Sequence, residues 1–108
     1  MARTAIHPGE HLAEQLKELG MSAAELGRQL KVPTNRITGI LNGQRAITGD
    51  SALRLAHFFG NHPEFWLNLQ KLYELRLAEA KAGAAIRRLP RLGERRASEP
   101  RRSQARAA

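Results

Sequence analysis

The sequence predicts an all-α fold: five helices followed by a disordered basic tail. Three observations lead there. Apolar residues recur at three- and four-residue spacing from Leu12 to Leu77, the period of a buried helix face. Helix start and stop residues punctuate that pattern at short intervals. No strand-type alternation of useful length interrupts it, and past Lys81 the apolar pattern fails.

The elements follow in order. Pro8 suits the first turn of a helix, Leu12, Leu16 and Leu19 repeat along it, and Gly20 stops it. Ser22 with Glu25 is a capping box opening a second helix, whose core face is Leu26 and Leu30. Lys31-Val32-Pro33 is a tight turn into a third, short helix. There Ile37, Ile40 and Leu41 share a face and Asn42-Gly43 ends the run. Thr48 caps a fourth helix, with Asp50 in its first turn where the dipole favours an anion. Leu53, Ala56 and Phe59 are its expected inner face, and Gly60 its end. Pro63 and Glu64 open the fifth, with Phe65, Trp66, Leu69, Leu72, Tyr73 and Leu77 in register. Residues 7–82 form the expected domain. Residues 83–108 are Ala, Gly, Pro, Ser and Arg with few large apolar groups, the composition of a disordered segment.

Charge and composition narrow the function. The chain carries +8, from 18 Lys and Arg against 10 Asp and Glu, which favours an anionic partner. Residues 1–82 hold only +2 of it, and residues 83–108 hold +6, with eight Arg and two Glu. Such a tail either binds nucleic acid without sequence preference or only keeps the protein soluble. With no cysteine, disulfides, thiolate metal sites and thiol catalysis are excluded. The start shows no signal-peptide pattern and no apolar run spans a bilayer, so a cytoplasmic protein without a membrane partner is expected.

The stretch VPTNRITGILNGQRAIT, residues 32–48, places hydrogen-bonding groups ahead of an apolar stripe. Leu26, Leu30, Ile37 and Ile40 can close one core beneath the second and third helices. Two short helices joined by a tight turn form a helix-turn-helix, whose second helix enters the DNA major groove by its N-terminal residues. Only that first turn reaches the bases, so polar groups belong there and the apolar stripe faces the protein. The plainer alternative is that Thr34 and Asn35 only cap the helix. The expected base-reading residues are Thr34, Asn35, Arg36 and Thr38, with Gly39 allowing close approach. The expected phosphate contacts are Ser22, Gln29, Asn42, Gln44 and Arg45.

Residues 7–79 carry the segments HPGE, NGQRAIT, ALRLAHFFG and FWLNLQ in that order. In them the chain resembles the HigA/VapI-type antitoxins, helix-turn-helix proteins of the lambda-repressor-like (XRE) class. The resemblance implies a lambda-repressor-like fold and a dimer that binds double-stranded operator DNA and represses its own operon. It also implies a HigB-type toxin as partner, a messenger-RNA endonuclease. A stand-alone XRE-type regulator without a toxin is the alternative reading, and a module that binds only a toxin is a second. The chain departs from the class at Gly27, where Ala is usual, and this costs about 1 kcal/mol of helix propensity. Lys31 stands where Gly is common, Gly49 where Pro is common, and His62 where Ser is common.

Other constellations carry less. His7 and His11 are four apart, but Pro8 and Gly9 put His7 at or before the helix start and no third ligand is near, so no metal is expected. His57 and His62 read as surface or capping groups. With one Asp and no Ser-His-acid pattern, the chain is not expected to be an enzyme, nor to need a cofactor. Leu67 and Leu75 lie off the main stripe of the fifth helix and are the expected dimer interface. The alternative packs Leu67 on the first helix and leaves Leu75 exposed.

Overall fold

The computed structural model describes residues 4–95. Within them lie five helices and a single-turn sixth: α1 (Pro8–Leu19), α2 (Ala23–Leu30), α3 (Thr34–Leu41), α4 (Gly49–Phe59), α5 (Pro63–Arg87) and α6 (Leu92–Arg95). No strand occurs among the described residues.

The helix ends are set by local chemistry. In the α2 capping box the Ser22 N–H donates to Glu25 Oε1 at 2.9 Å, and the Glu25 N–H donates to Ser22 Oγ at 3.1 Å. Thr48 Oγ1 accepts from the Ser51 N–H and caps α4. Gly20 and Gly60 close α1 and α4 in the left-handed region. Lys31 does the same for α2 at φ 62°, the one non-glycine with positive φ among the described residues. Lysine holds this turn at a cost in backbone strain that glycine would not bear.

Leu12, Leu16, Leu26, Leu30, Ile37, Ile40, Ile47, Ala52, Leu55, Ala56 and Trp66 form one core. The shared core of α2 and α3 is thus the expected one. The inner face of α4 is not. Leu53 is 62% exposed, and Ala52, Leu55 and Ala56 face inward, with Phe59 partly buried beside them. The α5 stripe also differs. Trp66 is fully buried and donates its indole N–H to Asn61 Oδ1 at 3.0 Å, whereas Phe65, Leu72 and Leu77 are exposed. A polar residue, Gln70, is buried there instead.

The long helix does not end near Lys81. It runs to Arg87, so the boundary expected between residues 82 and 83 falls inside α5, and residues 83–87 are helical. The segment Ala78 to Ala85 is rich in Ala with Glu and Lys, strong helix formers that need no buried face. Glu79 lies over Gly83 and pairs with Arg87. Residues 96–108, half of the expected tail, lie outside the described residues.

Candidate nucleic-acid interface

Helix α3, like α5 and unlike α1, α2 and α4, begins without a side-chain cap. His7, Ser22 and Thr48 cap α1, α2 and α4 through their side chains, but Pro33 precedes α3 and no side chain caps it. The first-turn N–H groups of α3 are therefore left without a side-chain acceptor, beside the positive end of the helix dipole. Thr34 and Asn35 are exposed at this end and their side chains make no capping bond. The capping alternative for them is thereby removed. Thr38, one turn on, is half-buried and donates its hydroxyl to the Asn35 carbonyl at 3.3 Å.

Arg36 is half-buried and held. Its guanidinium donates to Asp50 Oδ2 at 2.5 Å, and the same oxygen accepts from Arg54 Nε at 2.9 Å. Arg54 also donates to the Leu30 carbonyl at 2.7 Å, which satisfies the C-terminal end of α2. The Arg54 and Arg36 hydrogen bonds hold the Asp50 carboxyl below its ordinary range. Asp50 and Arg54 were absent from the expected site. Their signal was present, an acid four residues ahead of a base on one helix. The link to Arg36, fourteen residues away, left no mark in the sequence.

The turn after α3 carries Asn42, Gln44 and Arg45, all exposed. Arg36, Arg45, Ala46, Thr48 and Ser51 line an open cleft of about 220 Å³ between α3 and the start of α4. Two expected contact residues, Arg36 and Arg45, thus line one cleft at the start of α4, with Arg36 paired to Asp50. Gly39 has a different neighbour from the one expected. It is buried, and a Cβ there would lie 2.7 Å from Arg45 Cδ and 2.8 Å from Cγ. Its lack of a side chain admits the Arg45 stem. Gln29 is exposed near the end of α2 and borders a separate cleft with Leu53, Arg54, His57 and Phe58. Ser22 is exposed at the other end of α2, with its hydroxyl engaged by Glu25. Neither Gln29 nor Ser22 lines the cleft that joins Arg36 and Arg45. Leu67 and Leu75 are 37% and 58% exposed on α5.

His7 serves the fold of this region. Its ring is buried, its Nδ1 accepts from the Gly9 N–H at 2.8 Å, and its edge packs on Tyr73 with centroids 4.7 Å apart. His11 packs against Phe65 and Trp66. No helix among the described residues is long and apolar enough to cross a membrane.

A capped α2, a tight left-handed turn and an α3 with an open, polar first turn over a shared core define a helix-turn-helix protein. The helix-turn-helix family model matches residues 12–66. Virulence-associated protein I of Dichelobacter nodosus is 50% identical over 69% of this chain and 70% of its own length. Among solved structures, an addiction module antidote protein of the HigA family from Coxiella burnetii is 54% identical with a TM-score of 0.80. That match covers 82% of this chain and 99% of the other. The Pseudomonas aeruginosa antitoxin HigA, solved with the higBA promoter, is 40% identical with a TM-score of 0.78. It covers 82% of this chain and 99% of its own. The chain belongs to the helix-turn-helix family and, within it, to the HigA/VapI-type antitoxins of the XRE class.

Proposed function

We propose that the protein is a DNA-binding antitoxin that represses its own operon as a dimer and neutralises an mRNA-endonuclease toxin of the HigB type. The observation that carries the DNA-binding part is the front of α3. Its first turn is polar, exposed and uncapped, and Arg45 stands beside it. The relative solved with promoter DNA supports the same reading.

In the proposed complex α3 lies in the major groove. Thr34 and Asn35 meet base edges, and Thr38 borders them from the next turn. Asn pairs bidentately with adenine, which distinguishes it from the other bases. Arg36 meets a base edge from its Asp50 anchor, which holds it off the phosphates. Gln44, Arg45 and Asn42 contact the adjoining backbone, with Ser22 and Gln29 on its far flank. These phosphate contacts fix register and carry no sequence information of their own. The role is one of binding, with no chemical step. Leu67 and Leu75 pair two copies, so the operator is a near-palindrome with half-sites about 34 Å apart or a multiple of that.

The test is a gel-shift and pulldown pair. The protein should retard a duplex from upstream of its own gene in preference to a scrambled duplex. It should also co-purify with the product of the adjacent reading frame when both are expressed. Operator retention without co-purification would leave a stand-alone regulator; co-purification without retention would leave a module that binds the toxin alone.

A further inference from the structure

The turn that carries Gln44 and Arg45 has little secondary structure of its own, yet it is tied down at several points. At its front, the Gln44 and Arg45 N–H groups both donate to the Gly39 carbonyl, at 2.8 and 3.0 Å. At its end, the Ile47 N–H donates to Gln70 Oε1 at 2.8 Å. Gln70 stands on α5, is 7% exposed, and donates its own amide to Glu74 Oε2 at 2.8 Å. Beside Gly43 the buried His7 ring lies against the turn: a Cβ on Gly43 would stand 3.8 Å from the ring's Cδ2 and Cγ.

Two buried polar side chains, from opposite ends of the domain sequence, thus converge on one exposed turn. Buried polar groups are costly to place and specify one geometry when satisfied. Neither belongs to the apolar core, and neither touches the open face of α3. What they share is the backbone on either side of the Arg45 side chain. We propose that His7 and Gln70 are positioning residues for DNA binding, fixing the turn so that Arg45 meets the phosphate backbone. This rests on the assignment of Arg45 as a phosphate contact, proposed above. The same arrangement links the turn to α5, so the helix that carries Leu67 and Leu75 also bears on the DNA contact.

The experiment is a double-mutant cycle read by fluorescence anisotropy with a labelled duplex from upstream of the gene. Its members are Arg45→Ala, Gln70→Met and the pair, each titrated over a range of salt. Arg45→Ala should weaken binding roughly tenfold, as loss of a charge-assisted contact does, and lower the salt slope by about 0.9 per subunit. Gln70→Met keeps length and shape and removes the acceptor. It should reproduce much of that loss of affinity and slope, and the pair should bind no more weakly than Arg45→Ala alone. Additive losses would overturn the positioning role while leaving Arg45 as a contact. No loss with Arg45→Ala would remove the contact itself, and the positioning role with it. His7→Asn supplies a second arm should Gln70→Met fail to fold. Asn can still cap α1 but lacks the ring that packs against the turn. It should show the same non-additivity with Arg45→Ala, and additivity there would also overturn the role.

Discussion

Asp50 on α4 holds Arg36 on α3: the guanidinium donates to the carboxylate at 2.5 Å, and Arg54 shares the same oxygen at 2.9 Å. A carboxylate set between the recognition helix and the proposed phosphate cleft is an unusual neighbour for DNA. It restrains a cation that would otherwise reach for any nearby phosphate. Asp50→Asn should therefore release Arg36. Binding to a scrambled duplex should strengthen, its salt slope should steepen by about 0.9 per subunit, and preference for the operator should narrow. An unchanged slope would show that Arg36 already reaches phosphate from its place beside Asp50.

Gly9 is the most closely packed of the glycines in the described residues. A Cβ there would lie 2.0 Å from the Ile40 carbonyl oxygen, a backbone atom that no side-chain rotation can move. Gly9→Ala gains about 1 kcal/mol of helix propensity but must push α1 off the end of α3. The net result should be a loss of about 2 kcal/mol, seen as a fall in Tm of roughly 8 °C or more. A Tm equal to that of the parent would mean that α1 can shift freely on α3.

These contacts show what the sequence could and could not disclose. The caps at Ser22 and Thr48 were legible because each depends on residues within one turn. So was the core of α2 and α3, where four apolar residues keep helical spacing and face one another. On α4 the spacing of Leu53, Ala56 and Phe59 competes with that of Ala52, Leu55 and Ala56, and hydrophobicity favoured the exposed leucine over the buried alanine. Ala52 is inside because α4 packs closely there, which is a property of the neighbours. In α5, apolar spacing missed the last turns because they are held by propensity and the Glu79–Arg87 pair. The exposed placement of Thr34 and Asn35 at the front of α3 could be read from position alone. His7, Gln70 and the Asp50 clamp could not, since each acts across many residues of chain.

His7 should make the fold sensitive to acid. Burial, its largest influence, lowers its pKa below the ordinary 6.5, against the opposing effects of the Arg45 backbone and the Glu10 charge. The folded state thus prefers the neutral ring, and the unfolded state binds the extra proton. Stability then rises with pH, so it should be fully present above about 6.5 and decline as pH falls through the lower folded value. Protonation also makes Nδ1 a donor facing the Gly9 N–H, which undoes the α1 cap. The groups facing the ring are Glu10 on its own helix, the Arg45 backbone and Tyr73 on α5. Chemical denaturation between pH 7 and pH 5 should show this decline, and His7→Asn should flatten it. An equal slope in the variant would assign the acid sensitivity to other groups.

Asn35 should carry sequence preference. Asn35→Ala should cost about 1–3 kcal/mol of operator discrimination, while binding to a scrambled duplex changes little. The residue is exposed and makes no capping bond, so its loss should leave folding intact. Unchanged preference between the two duplexes would remove it from the base-reading set.

The last expectation concerns pairing of two copies. Leu67 and Leu75 lie exposed on α5, two turns apart, with exposed Leu72 and Leu77 on the same helix. Several exposed large apolar side chains on one helix of a small domain suit a contact face, and Leu67 and Leu75 lie on neighbouring sides of α5. A glutamate in such a face must lose its hydration or keep the surfaces apart, and two of them per copy act on both sides of a symmetric interface. Leu67→Glu combined with Leu75→Glu should therefore give a folded monomer by light scattering. Its operator affinity should drop far more than its affinity for a single half-site, because the loss lies in joining two half-sites. Neither leucine belongs to the core, so the Tm of the dissociated chain should stay near that of the parent diluted to its monomer. A folded double variant that remains dimeric would place the interface elsewhere on the molecule.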